Sequence, residues 1–150
     1  GVLWMFDNHS YGRTPYTPEQ DASPEVSRAV GFRVDPVAMT VEQVASFAET
    51  SNGELFSPAL GDADPQPITG NVLADFGFLD GEEGLLNADL GRGRKSIRLI
   101  EFDPDQPTSP ALDLRLYSDA KALTEGYKMY RAHKIPSLYP ADVTVSCTDY

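Results

Sequence analysis

The chain has 150 residues, 23 of them acidic and 12 basic, for a formal charge of −11, which argues against nucleic acid or an anionic membrane as a partner held by bulk electrostatics. No apolar run approaches the ~20 residues that span a bilayer, so no membrane span is expected within the chain. Twelve Gly and twelve Pro favour a loop-rich all-β chain over a helical one, and the single Cys147 excludes an internal disulfide or a Cys-based zinc site.

The first predicted element is the apolar strand GVLWMFD, Gly1 to Asp7. A loop from Asn8 to Glu25 follows, then AVGFRVDP, where Val30, Phe32 and Val34 alternate with Ala29, Gly31 and Arg33. That period of two predicts a half-buried strand, which Asp35-Pro36 ends. The next segment, TVEQVASFAE, admits two readings. As a helix, Thr40 and Gln43 form a capping box, with Val41, Val44, Ala45 and Ala48 along one face. As a strand, it sets Met39, Val41, Ala45 and Phe47 on one side and lies close enough to pair as a hairpin with Phe32 to Asp35. The strand is adopted.

GDADPQPITGN leads into the strand GNVLADFG, Gly70 to Gly77, followed by a second long loop from Phe78 to Lys95 and by IRLIEFDP, Ile97 to Pro104. Leu112, Leu114 and Leu116 then alternate with Asp113, Arg115 and Tyr117, which predicts a strand with one wet face. Tyr127 to Ala132 and Val143 to Cys147 predict two more. Ile135-Pro136 and Tyr139-Pro140 confine the stretch between them to a non-helical connector.

Two halves of this series match. Val2 to Val72 is a step of 70 residues, and Asp35 to Asp103 one of 68. Short alternating strands at a fixed period are the mark of repeats that must stack to bury their faces. The expected fold is therefore all-β, part of a β-propeller. The period exceeds the ~40 to 50 residues of a typical blade, and the two long loops account for the excess. A propeller needs at least about four blades to close, whereas two units are visible here, 1–69 and 70–150. Gly1 is not an initiator Met, and a strand begins at once. The chain is thus expected to be the C-terminal portion of one longer propeller domain, with the remaining N-terminal blades as its partners. Alone, its open edges would leave backbone groups unpaired.

FDNHSYGR, SRAVGFRVD, TVEQV, LFSPALGDAD, GNVL, LDLRLYSD and YKMYRAHKIPSLYP, in this order and spacing, resemble the C-terminal part of the bacterial arylsulfotransferase family. The resemblance covers nearly the whole chain and is weakest from Leu79 to Ser96. It implies a six-bladed ring whose inner strands line a funnel, a periplasmic or extracellular location, and no cofactor. It also implies transfer of a sulfuryl group from a phenolic sulfate ester to a phenol through a histidine. Imidazole suits that role, being a neutral nucleophile near neutral pH and a competent leaving group once sulfated. In the family the histidine precedes the strand leading into FDN, so it is expected upstream of Gly1, and the catalytic residue is not in this chain.

The candidates within the chain are supporting ones. Asp62, placed near the funnel by correspondence between blades, orients a histidine or acts as a base, or else is a solvated turn acid. Asp64, Asn8 and Arg13 are candidate substrate contacts, Arg13 as an anion contact or a surface ion pair. Asp62 and Asp64 lack the further oxygens of a calcium loop, and no metal is expected. His9 stands where the family has Gly, as a substrate contact or a turn residue; His133, in YRAHK, reads as a surface or packing residue. Asp7, His9 and Ser10 form no triad, because neighbouring strand positions point to opposite faces. GRGRK, with Arg92, Arg94 and Lys95, attracts sulfate esters or is simply solvated. Tyr127, Tyr130 and Tyr139 are expected to seal the last blade. A non-catalytic binding or structural module on the same scaffold is the alternative reading.

Overall fold

In a computed structural model, residues 1–8, 26–48, 55–80, 95–117 and 126–135 are described, and among them there are seven strands and no helix. Strands β1 (Val2–Asp7), β2 (Arg28–Asp35) and β3 (Thr40–Phe47) form one antiparallel sheet in the order β1-β2-β3. Strands β4 (Asp62–Pro65), β5 (Val72–Asp80), β6 (Lys95–Phe102) and β7 (Leu112–Tyr117) form the other in chain order. The all-β expectation holds, and TVEQVASF is a strand.

Both repeated Asp-Pro steps end their strands by the same device. The Asp35 carboxylate accepts hydrogen bonds from the backbone N–H groups of Val37 and Ala38 at 2.9 and 3.0 Å, and Asp103 accepts one from Asp105 at 2.9 Å. Each Asp turns the backbone back on itself, while Pro removes the N–H that would extend the ladder.

Side chains opposite one another across a ladder share a face. In the first sheet Phe6 lies opposite Ala29, and Ala29 opposite Phe47; Trp4 lies opposite Gly31. This face packs on the Val72, Ala74, Phe76, Ile100 and Phe102 face of the second sheet to make the core. Phe6 meets Phe76 edge-on at 5.1 Å between ring centres, Trp4 meets Phe102 at 6.0 Å, and Phe47 stacks on Phe102 at 4.2 Å. Beyond burial of the rings, such pairs each contribute about 0.5–1.5 kcal/mol.

The register corrects the expected face of β3. Gly31 pairs with Ala45 but Phe32 with Gln43, so Val44 is an extra residue. This bulge sends Val41 to the face opposite Ala45 and Phe47; Phe47 is buried, while Val41 and Met39 are exposed. Three further expectations change. Phe78, Leu79 and Asp80 belong to β5 and Lys95 to β6, which shortens the second loop at both ends. Tyr127 to Ala132 is not a strand: Gly126 makes an isolated bridge to Lys95, and Met129 N–H donates to the Gly77 carbonyl at 2.9 Å. All six residues of β7 are exposed, so the leucine face of this outermost strand is as wet as its polar face. The expected strand Val143 to Cys147 lies outside the described residues.

The two sheets repeat head to tail. Arg33 lies opposite Val2 and Glu101 opposite Leu73, so matching Asp35 to Asp103 makes Val2 equivalent to Leu73, one residue beyond the letter match with Val72. A slip of one residue exchanges the faces of a strand, and contacts made by the connectors fix which alignment is structural. The connector leaving the first sheet is held by Ser27, whose N–H donates to Leu55 O at 2.9 Å, and then passes Phe6 at Gly61. Its counterpart after the second sheet bridges Lys95 at Gly126 and passes Gly77 at Met129. Ser27 and Lys95 are 68 residues apart, and Phe6 and Gly77 are 71 apart. The face by which the first sheet packs on the second is therefore equivalent to the face the second turns away from the first.

Candidate functional site

That outward face of the second sheet is acidic. Asp62 of β4 stands opposite Asp75 of β5, and Asp64 stands opposite Leu73, which is itself opposite Glu101 of β6. The connector at 126–135 lies along these acids and supplies a base to three of them. Arg131 Nε is 3.0 Å from Asp62 Oδ2, His133 Nδ1 is 2.9 Å from Asp64 Oδ2, and Lys134 Nζ is 2.6 Å from Glu101 Oε2. Gly77 makes the close approach of this connector possible, since a Cβ there would collide with the Met129 carbonyl.

The fourth acid, Asp75, meets no base among the described residues. Both carboxylate oxygens of Asp75 are buried without a hydrogen-bond partner among the described residues. Loss of water and then the neighbouring Asp62 charge push its pKa up to about 7. Glu101 is moved the other way. The hydrogen bond from Lys134 is the largest cause, helped by Asn71 Nδ2 at 2.9 Å, and burial opposes both. Two carboxyls at neighbouring positions of one sheet thus have opposite protonation tendencies, set by which of them the connector reaches.

At the start of β4 the chain is held by Asn8, whose Nδ2 donates to the carbonyls of Ser57 and Leu60 at 2.8 and 2.6 Å. The buried Ser27 hydroxyl donates to Asn8 O at 3.0 Å and accepts from Ser57 N–H at 2.8 Å. Leu60 at φ 65° and Gly61 at φ 119° complete the turn into β4. At Gly61 a Cβ would come within 2.5 Å of the Phe6 ring, so only glycine fits.

Of the residues singled out in the sequence, Asp62 and Asp64 are both half-buried on β4 and ion-paired. Asn8 is joined to them through the backbone of the connector. His133 is exposed and paired with Asp64. Asp7 is paired with Arg28 at 3.0 Å. His9, Ser10, Arg13, Arg92, Arg94, Tyr139 and Cys147 lie outside the described residues. Tyr127 and Tyr130 are exposed rather than sealing a blade, and the buried residue of that stretch is Ala132. Sequence reasoning passed over Asp75, Glu101 and Lys134. A charged residue within an otherwise apolar strand, as Asp75 is in VLADF and Glu101 in LIEF, was the available signal. No group of three or more His, Cys, Asp or Glu among the described residues is placed to hold a metal ion, and among them no helix is long and apolar enough to cross a membrane.

Two antiparallel sheets packed on one another through a shared apolar core define an all-β protein. Within that class the chain belongs to the arylsulfotransferase (ASST) family, whose family model matches residues 1–128. No curated protein and no solved structure matches the chain.

Proposed function

We propose that the chain forms wall segments of an arylsulfotransferase propeller that moves a sulfuryl group from a phenolic sulfate ester to a phenol. The observation that carries this reading is the family match over 1–128, coupled to the head-to-tail relation of the two sheets. A repeat whose packing face recurs on its outer side calls for further repeats, and in this proposal the N-terminal blades of the same ring provide them.

The reaction proceeds in two displacements at sulfur. An imidazole nitrogen attacks, the bond from sulfur to the aryl oxygen breaks, and the phenol product leaves after gaining a proton. The oxygen of the acceptor phenol then attacks the sulfated imidazole, loses its proton, and the nitrogen–sulfur bond breaks. The nucleophilic histidine is assigned to the stretch upstream of Gly1, shortly before the strand that leads into FDN. Asp62 supports the site from the β4 edge, with Arg131 fixing its carboxylate, while Asn8, Asp64 and Arg13 are assigned to the substrate side. Asn8 acts chiefly by holding the turn into β4. A periplasmic or extracellular setting goes with this reading.

The test uses the complete polypeptide with 4-nitrophenyl sulfate as donor and phenol as acceptor. Release of 4-nitrophenol that depends on phenol is expected, together with a sulfated histidine peptide upstream of Gly1 after quenching without acceptor. No transfer by a well-folded complete protein would leave a non-catalytic module on the same scaffold.

A further inference from the structure

The segment after Met129 repeats the placement of β4. The connector leaving the first sheet passes Phe6 at Gly61 and at once becomes β4, the end strand of the second sheet. Its counterpart passes Gly77 at Met129, 68 residues beyond Gly61, so residues 130–133 stand where β4 stands. Ala63 of β4 is buried in the core between the sheets, and its counterpart Arg131 likewise turns back to the sheet just left, reaching Asp62 at 3.0 Å. Two residues on, His133 reaches Asp64 at 2.9 Å. Contacts in the same order and two residues apart on both segments describe an extended backbone running parallel to β4. Among the described residues 130–133 joins no ladder, whereas β4 has β5 beside it. It is a free strand edge.

The outer half of the same face points the same way. Leu112, Leu114 and Leu116 lie opposite Glu101, Leu99 and Ile97, on the face that carries Leu73 and Asp75. Leu116 opposite Ile97 matches Phe47 opposite Ala29, and Ala29 and Ile97 are 68 residues apart. Phe47 is 5% exposed, with Phe102 of the next sheet stacked on it, while Leu116 is 41% exposed. The leucines hold the position that a following sheet covers in the first unit.

We propose that 130–133 is the end strand of a further sheet, that a strand from the upstream blades of the same polypeptide pairs with it antiparallel, and that this sheet packs on Leu112, Leu114 and Leu116. The occupant follows from how the sheets share strands. The second sheet takes its first strand from the connector of the sheet before it, so in a closed ring the last connector completes the first sheet. Ladder hydrogen bonds fix the register, and the leucine row supplies apolar area. The inference rests on the ring of the preceding reading and not on its chemistry, so it is tested without sulfate.

Hydrogen exchange of the complete polypeptide should show amide hydrogens in 130–133 held as long as those of β4. Leu114→Asp, a charge at an exposed position of the outermost strand, should speed exchange in 130–133 at least about tenfold while β5 and β6 keep the parent rate. With p-benzoylphenylalanine in place of Leu114, irradiation should join this position to a peptide upstream of Gly1 in a product of monomer mass. Exchange of 130–133 at the unprotected rate, or protection that survives Leu114→Asp, would overturn the assignment. So would the lack of a cross-link, or one to a second copy or to residues after 135. Absence of sulfuryl transfer with the expected exchange and cross-link would count against the chemistry alone.

Discussion

Asp62 and Asp75 face each other across the β4–β5 ladder, yet among the described residues only Asp62 has a counter-ion, Arg131 at 3.0 Å. Asp75 is fully buried beside it with both oxygens unpartnered among the described residues. The sheet therefore sets one acid against a base and favours the proton on the other.

Stability should fall as pH rises because of Asp75. Its folded pKa, about 7, lies above the ordinary 3.8, so the folded state binds the proton more tightly. The stabilisation is complete below about pH 4 and is lost as pH rises through 7, with a slope of up to about 1.4 kcal/mol per pH unit from this group. Asp75→Asn removes the slope. Denaturant midpoints of the complete protein between pH 5 and 8 should decline less in the variant than in the parent; parallel declines would mean that Asp75 does not titrate in this window.

Arg98 and Asp113 behave in the opposite sense. The guanidinium is buried and donates to both carboxylate oxygens, Nε to Oδ1 at 2.8 Å and a terminal nitrogen to Oδ2 at 2.7 Å. Hydrogen bonding from Arg98 is the main cause that holds the Asp113 pKa below 3.8, so the contribution of the pair is present above that value and is lost as pH falls through the depressed one. Asp113→Ala, which removes the carboxylate that two nitrogens of the buried guanidinium donate to, should cost about 1.5–3 kcal/mol in urea unfolding. Asp113→Glu should recover part of it.

Gly61 admits no side chain. Its φ of 119° and the Phe6 ring, within 2.5 Å of where a methyl group would stand, together predict that Gly61→Ala destabilises by about 2–4 kcal/mol, measured by thermal unfolding. Phe6→Leu in the same chain should relieve part of the loss, because the collision is shared between the ring and the Asp75 carbonyl, 2.7 Å from the same point; a purely backbone origin would leave the double variant no better than the single one.

Asn8 is expected to act through the connector. Asn8→Ala removes the amide donor from the Leu60 carbonyl and from the Ser57 carbonyl, which the Ser27 hydroxyl also reaches at 3.2 Å, and should cost about 1–3 kcal/mol. Hydrogen exchange should speed up at the N–H groups of β4 and leave those of β2–β3 at the parent rate, since β4 is the element this side chain secures. Uniform acceleration across both sheets would contradict that local role.

Much of this architecture is legible in one dimension. Alternation of apolar and polar residues marks β2 and β7, because a strand exposes alternate residues to one environment, and the apolar run VLWMF marks β1. The Asp-Pro steps mark two strand ends, because Asp caps the turn and Pro cannot extend the ladder. The near-repeat of about 70 residues and the family motifs point to stacked sheets. Local signals could not place the bulge at Val44, the one-residue offset between letter match and structural match, or the brevity of β4. Each depends on pairing with a neighbour distant in sequence, and a change of one residue in that pairing reverses a strand's faces.

The sequence by itself determined the all-β class, the repeat and the family, since these follow from side-chain period and turn chemistry carried within short windows. Only the tertiary structure decided which acids meet a base, which is buried away from one and which meets a histidine. Asp62, Asp64, Asp75 and Glu101 are alike as letters; their differences come from burial and from the reach of Arg131, His133 and Lys134, which arrive from a connector distant in sequence from all four.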